Sequence, residues 1–180
     1  MRSTELNIYE VELWLAEEFK FRKNLIIPNV SFGFWNKYHD GHECDILVVR
    51  PSGYVAEIEI KRSLSDLKAE EKKMHRHKSN AIREFWFAIP EEAMPDGLDF
   101  IDNNFPEAGV LVYSKRPHAT LHRVTGAKIK KPKINKAAIR LTDDDRGKLM
   151  RLGCLRLWSM RKTLSRMQRR LGTNNKEAVI

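Results

Sequence analysis

The chain predicts an α/β fold, one sheet flanked by helices and followed by a long basic helix. Three observations predict it. Apolar residues recur at helical spacing near the N-terminus and again beyond residue 143. Between them lie short runs with the alternation or the apolar concentration of strands. A capping signature at Ser63 opens a further helix between two of those runs. At 180 residues and 42% hydrophobic content, the chain suits one ordinary domain with an appended element and is not composed like a disordered segment.

The elements follow in order. Residues 5–20 read as an amphipathic helix, and Pro28 follows in a loop. Residues 29–36 read as a first strand. Residues 44–50 and 54–60 are two more, joined by Pro51-Ser52-Gly53, a connection short enough to make them a hairpin. Ser63-Leu64-Ser65-Asp66 places an acid three positions after a capping serine, so a charged helix is expected from there to about residue 82. The apolar run 85–89 ends at Pro90 and reads as a buried strand. Residues 91–107 form an irregular or helical connection, and 108–113 and 119–124 are the last strands.

Composition then shifts. Residues 128–133 read as a basic linker. Thr142-Asp143-Asp144-Asp145 is a second capping box, with acids in the first turn where the helix dipole favours them. The helix it opens is expected to end near Gly172. Residues 1–127 are therefore expected to form the domain, with 128–180 as linker and helix, an appendage rather than a second domain.

The charge balance narrows the partners. Lys and Arg number 33 against 24 Asp and Glu, a net charge of +9 and a pI near 9.6. Such a balance favours a polyanion, nucleic acid first. The two cysteines, Cys44 and Cys154, are far apart in apolar contexts and read as free, buried thiols of a reducing compartment. No basic region followed by an apolar run opens the chain, and no stretch has the length of a membrane span. The expected compartment is the cytoplasm, with no membrane partner.

The hairpin carries the chemistry. If its turn centres on Ser52, residues whose numbers sum to 104 face each other, and Asp45 and Glu59 do. Side chains alternate along a strand, so Glu57, Glu59 and Lys61 share one face while Ala56, Ile58 and Ile60 share the other, apolar one. Two acids opposite each other destabilise a sheet. A cation between them removes that cost, and carboxylates are ordinary ligands of Mg²⁺. Lys61, two residues on, points the same way, beside a metal-bound water and a scissile phosphate. The competing expectation is a solvated strand face with Lys61 paired to a neighbouring acid.

Asp45 followed by Glu59-Ile60-Lys61 resembles the D…(D/E)-x-K signature of PD-(D/E)XK nucleases. The element order α-β-β-β-α-β over roughly residues 5–125 also resembles the restriction-endonuclease-like core. Cys44 stands where many members carry proline, and Glu57 is an extra acid. The resemblance implies a mixed central sheet and Mg²⁺- or Mn²⁺-dependent hydrolysis of DNA phosphodiesters. Asp45 and Glu59 would bind the metal, with the Ile60 carbonyl assisting and Glu57 as alternative or additional ligand, and Lys61 would position the water. It also implies an acid from the first helix. Glu12, at the edge of the apolar arc of Ile8, Val11, Leu15 and Phe19, takes that role, with Glu10 second; a Glu snorkelling to the surface is the alternative.

Basic residues complete the reading. Lys68, Lys72 and Arg76 on the second helix, and Arg156, Arg166 and Arg169 on the last, are expected to contact backbone phosphates. Met150, Leu157, Met160, Leu164, Met167 and Leu171 form an apolar stripe on the last helix, which offers a surface to the core, a homodimer or a larger assembly. His39, His42 and Cys44 fall close together, but without a fourth ligand they make a poor zinc site. The rival to a nuclease is a catalytically inactive nucleic-acid-binding module or subunit on the same scaffold.

Overall fold

The computed structural model describes residues 7–31, 43–72, 80–117 and 122–177. The chain divides into two compact units, residues 1–142 and 143–180. In the first, six strands form one sheet in the order β1-β2-β3-β4-β5-β6. They are β1 (Leu25–Ser31), β2 (Glu43–Val49), β3 (Val55–Ile60), β4 (Ile82–Pro90), β5 (Gly109–Pro117) and β6 (His122–Lys130). β1, β2 and β3 form an antiparallel meander. β3, β4 and β5 run parallel, and β6 returns antiparallel to β5. The sheet is mixed and helices cover it, which agrees with the expected class.

Helix α1 (Ile8–Glu18) starts where Asn7 accepts the Tyr9 N–H. It ends where Lys20 turns left-handed (φ 58°). Its apolar arc is the one expected: Val11, Leu15 and Phe19 are buried against Ile46, Val48, Ala56, Ile58, Ile60 and Trp86. Each such side chain withdrawn from water contributes about 1.5–3 kcal/mol. The opposite face of the sheet is covered by α2 (Leu64–Ala69) and α3 (Asp96–Asn104), which cross between the parallel strands. There Phe87 packs edge-on against Phe85 and Phe105 at 4.8 and 5.2 Å. β3 is thus covered on both faces, and all six of its residues are buried.

Several boundaries differ from expectation. β1 begins at Leu25 and includes Pro28, which had been expected in a loop; residues 32–36 of the expected first strand lie outside the described residues. An edge strand tolerates proline because one side of its backbone has no partner to satisfy. α2 is much shorter than a helix reaching residue 82. It passes at Glu70 into a 3₁₀ turn, Glu70–Lys72, and residues 73–79 lie outside the described residues. β4, β5 and β6 are longer than the apolar runs that signalled them, because pairing with a neighbour carries a strand through charged residues such as Lys115 and Lys128.

The expected linker begins inside β6, whose last residues are Lys128, Ile129 and Lys130. The segment after it stays bonded to the first unit. Lys133 donates to Glu107, Asn135 to Arg83, Ile139 to Asn80 and Leu141 to Gly53. The compact unit accordingly runs to Thr142, not to 127. The second unit is helix α4 (Asp143–Glu177), opening directly after Thr142 and passing the expected stop at Gly172. In its first turns Lys148 pairs with Asp144 at 2.5 Å.

Candidate functional site

The turn between β2 and β3 sets the register of the site. Gly53 N–H donates to the Arg50 carbonyl, and Arg50 N–H to the Tyr54 carbonyl. Gly53 has φ 84°, a conformation that glycine adopts without steric cost. The pairs Ile46↔Ile58, Leu47↔Glu57, Val48↔Ala56 and Val49↔Val55 follow, each summing to 104 as the centre at Ser52 requires. Asp45 and Glu59 stand one position beyond the Ile46↔Ile58 pair, away from the turn. Their carboxylates turn to different donors. Asp45 Oδ2 accepts the Ile60 N–H at 2.7 Å, while Glu59 Oε2 accepts from Lys61 Nζ at 3.1 Å.

Glu57, Glu59 and Lys61 are not a solvated face. Their relative exposures are 1%, 2% and 3%. α2, the turn after it and the aromatic cluster of β4 cover them. A buried charge needs a partner, and Lys61 has two. Besides Glu59, its ammonium donates to Glu70 Oε2. Its Nζ also lies 5.8 Å from the centre of the Phe87 ring. Burial by itself would lower the Lys61 pKa, but the charges and hydrogen bonds of Glu59 and Glu70 outweigh it and hold the lysine above its ordinary value. The Lys61 backbone is fixed as well. Its N–H donates to the Ala88 carbonyl, and its own carbonyl accepts from Tyr113 Oη at 2.7 Å.

Glu70 is the residue that sequence reasoning missed. It falls within the charged helix expected from Ser63 to about residue 82, yet it is 1% exposed. A signal was present. Glu70 follows the buried Leu67 by three residues, and residues three apart share a helix face.

Glu12 sits half-buried on α1. Burial first, and the nearby charge of Asp45 second, push its carboxyl above the ordinary range. The two acids thus repel each other across the end of β2. Of the two cysteines expected to be buried, Cys44 is and Cys154, on α4, is exposed. The Cys44 thiol is pushed well up, by burial and then by the charges of Glu57 and Glu59, with Asp45 adding to them. Asp45, Glu57 and Glu59 thus all act on one buried thiol, and Asp45 acts on Glu12, in a protein that is basic overall. All four carboxylates are hard oxygen donors of the kind Mg²⁺ and Mn²⁺ take, as is the Ile60 carbonyl. Among the described residues no three acidic, His or Cys side chains converge closely enough to hold an ion as they stand.

The remaining candidates are scattered. Glu10 is half-buried on α1, and Lys68 and Lys72 are exposed at the end of α2 and on the turn after it. Arg76, His39 and His42 lie outside the described residues. On α4, Arg166 and Arg169 are exposed and Arg156 is half-buried. A groove of about 370 Å³ lies elsewhere, on β5 and β6, lined by Glu91, Val112, Ser114, Thr125, Ala127 and Ile129. Glu12, Asp45, Glu57 and Glu59 do not line it.

No protein-family model matches the chain, and no curated protein matches it. Among solved structures it is similar to the SPO1766 protein of unknown function from Silicibacter pomeroyi. The TM-score is 0.54 at 16% identity, over 84% of this chain and 86% of that one. The likeness is one of fold. No helix among the described residues is long and apolar enough to cross a membrane.

Proposed function

We propose that this protein is a metal-dependent nuclease acting on DNA, with a restriction-endonuclease-like core. The observation that carries the reading is the burial of Glu57, Glu59 and Lys61 on one face of the sheet at β3, with Asp45 on the neighbouring strand acting electrostatically on Glu12. Burying charged groups opposes folding even where they are paired, and a site that uses them accounts for their retention. The meander, crossover helix and parallel fourth strand support the same reading.

Asp45, Glu59 and the Ile60 carbonyl would hold Mg²⁺ or Mn²⁺, with Glu57 as a further ligand and Glu12 supporting from α1. The ion would neutralise phosphate charge and acidify a bound water. Lys61 is held as a cation by Glu59 and Glu70, so its role is to donate hydrogen bonds and charge to the phosphate or the attacking water rather than to remove a proton. Lys68, Lys72 and the α4 arginines would contribute phosphate contacts.

A second reading has its own observation. Lys61 finds both its carboxylate partners inside the protein, so the cluster is complete without substrate. That suits a nucleic-acid-binding module which has kept the scaffold and lost turnover.

The deciding assay incubates the full chain with supercoiled, linear and single-stranded DNA and with RNA, in Mg²⁺, Mn²⁺ or EDTA. Cleavage is expected with either metal, reduced about 100-fold or more in Lys61→Ala and Asp45→Asn. No cleavage of any form under either metal overturns the nuclease. Salt-sensitive binding that is equal in wild type and Lys61→Ala then establishes the second reading.

A further inference from the structure

Helix α4 leaves an apolar seam in water. Met150, Leu157, Met160, Leu164 and Met167 are each more than half exposed. They recur at steps of seven, three, four and three residues, the 3.5-residue repeat of a coiled-coil seam. On a helical wheel they keep to a band about 100° wide. Arg156 borders the band on one side and Arg161 on the other. Arg166 and Arg169 lie on the far side, with Trp158.

The charges select the occupant. Residues 146–176 contain ten Lys and Arg and not one Asp or Glu. A second copy lying parallel would set Arg156 of one helix against Arg161 of the other. An antiparallel copy brings no acid to meet them either. Like charges at the flanks of a seam oppose pairing, and opposite charges choose the partner. A membrane surface fits less well, since interfacial helices bury a broad apolar face that gathers their Trp and Leu, and here Trp158 and Leu155 lie opposite the seam. A nucleic acid held by Arg166 and Arg169 would leave the seam in water.

We infer that the α4 seam docks an amphipathic helix of another protein whose flanking positions carry Asp or Glu, forming a heterotypic coiled coil. This does not depend on the nuclease reading.

The test uses the full chain and a labelled synthetic peptide of about four heptads, with Leu at its seam positions and Glu at its flanks. A second peptide carries Lys at the flanks. Anisotropy is expected to show the Glu peptide binding at least about tenfold tighter than the Lys peptide. Leu157→Gln/Leu164→Gln, which circular dichroism should show still helical, loses that binding by a similar factor. Arg156→Glu/Arg161→Glu inverts the preference. Equal binding of the two peptides overturns the inference, as does binding undiminished in the Gln variant. So does a homodimer in sedimentation that the Gln variant abolishes, or binding to phosphatidylserine vesicles with none to the Glu peptide.

Discussion

Glu70, on the 3₁₀ turn after α2, pairs with Lys61 at the end of β3, and both side chains are within a few percent of complete burial. The pair ties the crossover turn to the charged face of the sheet. It also fixes Lys61 as a donor, because two carboxylates share one ammonium.

Removing one partner of such a set leaves charge stranded. Glu70→Gln is expected to cost about 2 kcal/mol, since Lys61 keeps Glu59. Lys61→Met strands two buried acids and is expected to cost about 4 kcal/mol, much of it recovered when Glu59→Gln and Glu70→Gln are added. Urea unfolding of the three variants measures this. If Lys61→Met is as stable as wild type, the acids are not held as described.

Divalent metal should stabilise the folded chain if the acids at the end of β2 hold it. At ten times its dissociation constant a ligand adds about 1.4 kcal/mol, a rise in Tm of roughly 3–5 °C at this size. The shift is expected in wild type with Mg²⁺ or Mn²⁺ and to vanish in Asp45→Asn/Glu59→Gln. An equal shift in that variant would place any bound metal elsewhere.

Two tyrosines should titrate apart. Arg140, hydrogen-bonded to the Tyr54 hydroxyl, and Arg83 hold Tyr54 below its ordinary value against some opposing desolvation. Burial pushes Tyr113 up to about 12. Absorbance near the phenolate band is expected to rise first from Tyr54, a phase that Tyr54→Phe removes. Between its unfolded pKa of about 10 and its folded value, Tyr113 keeps a proton in the native state that the unfolded chain releases. Stability should therefore fall as pH rises through that window. Unfolding midpoints measured across it should lose that slope in Tyr113→Phe.

Gly126 is required by packing. A Cβ there would lie 2.3 Å from the Val112 carbonyl oxygen and 2.5 Å from the Trp14 ring. Gly126→Ala is expected to cost about 2 kcal/mol, read as a lower urea midpoint. An unchanged midpoint would mean that β6 moves freely away from α1.

The face assignments were legible in the residues themselves. The mirror about Ser52 follows from one short turn, and the separation of Ile58 and Ile60 from Glu57, Glu59 and Lys61 follows from strand alternation. Both are local rules, and the observed register obeys them. The apolar arc of α1 was legible for the same reason. Strand ends were not. Leu25 to Pro28, Lys115 and Lys128 join the sheet because a neighbouring strand offers hydrogen bonds, and a chain's own pattern does not record its neighbours.

By itself the sequence determined the element order, the hairpin register and which charged residues share a face. Only the tertiary structure decided that this face is buried rather than solvated, that Glu70 closes on Lys61, and that Asp45 turns to the Ile60 amide. The reason is range. Alternation and turn geometry act over a few residues, whereas the burial of a charge depends on what the rest of the chain lays over it.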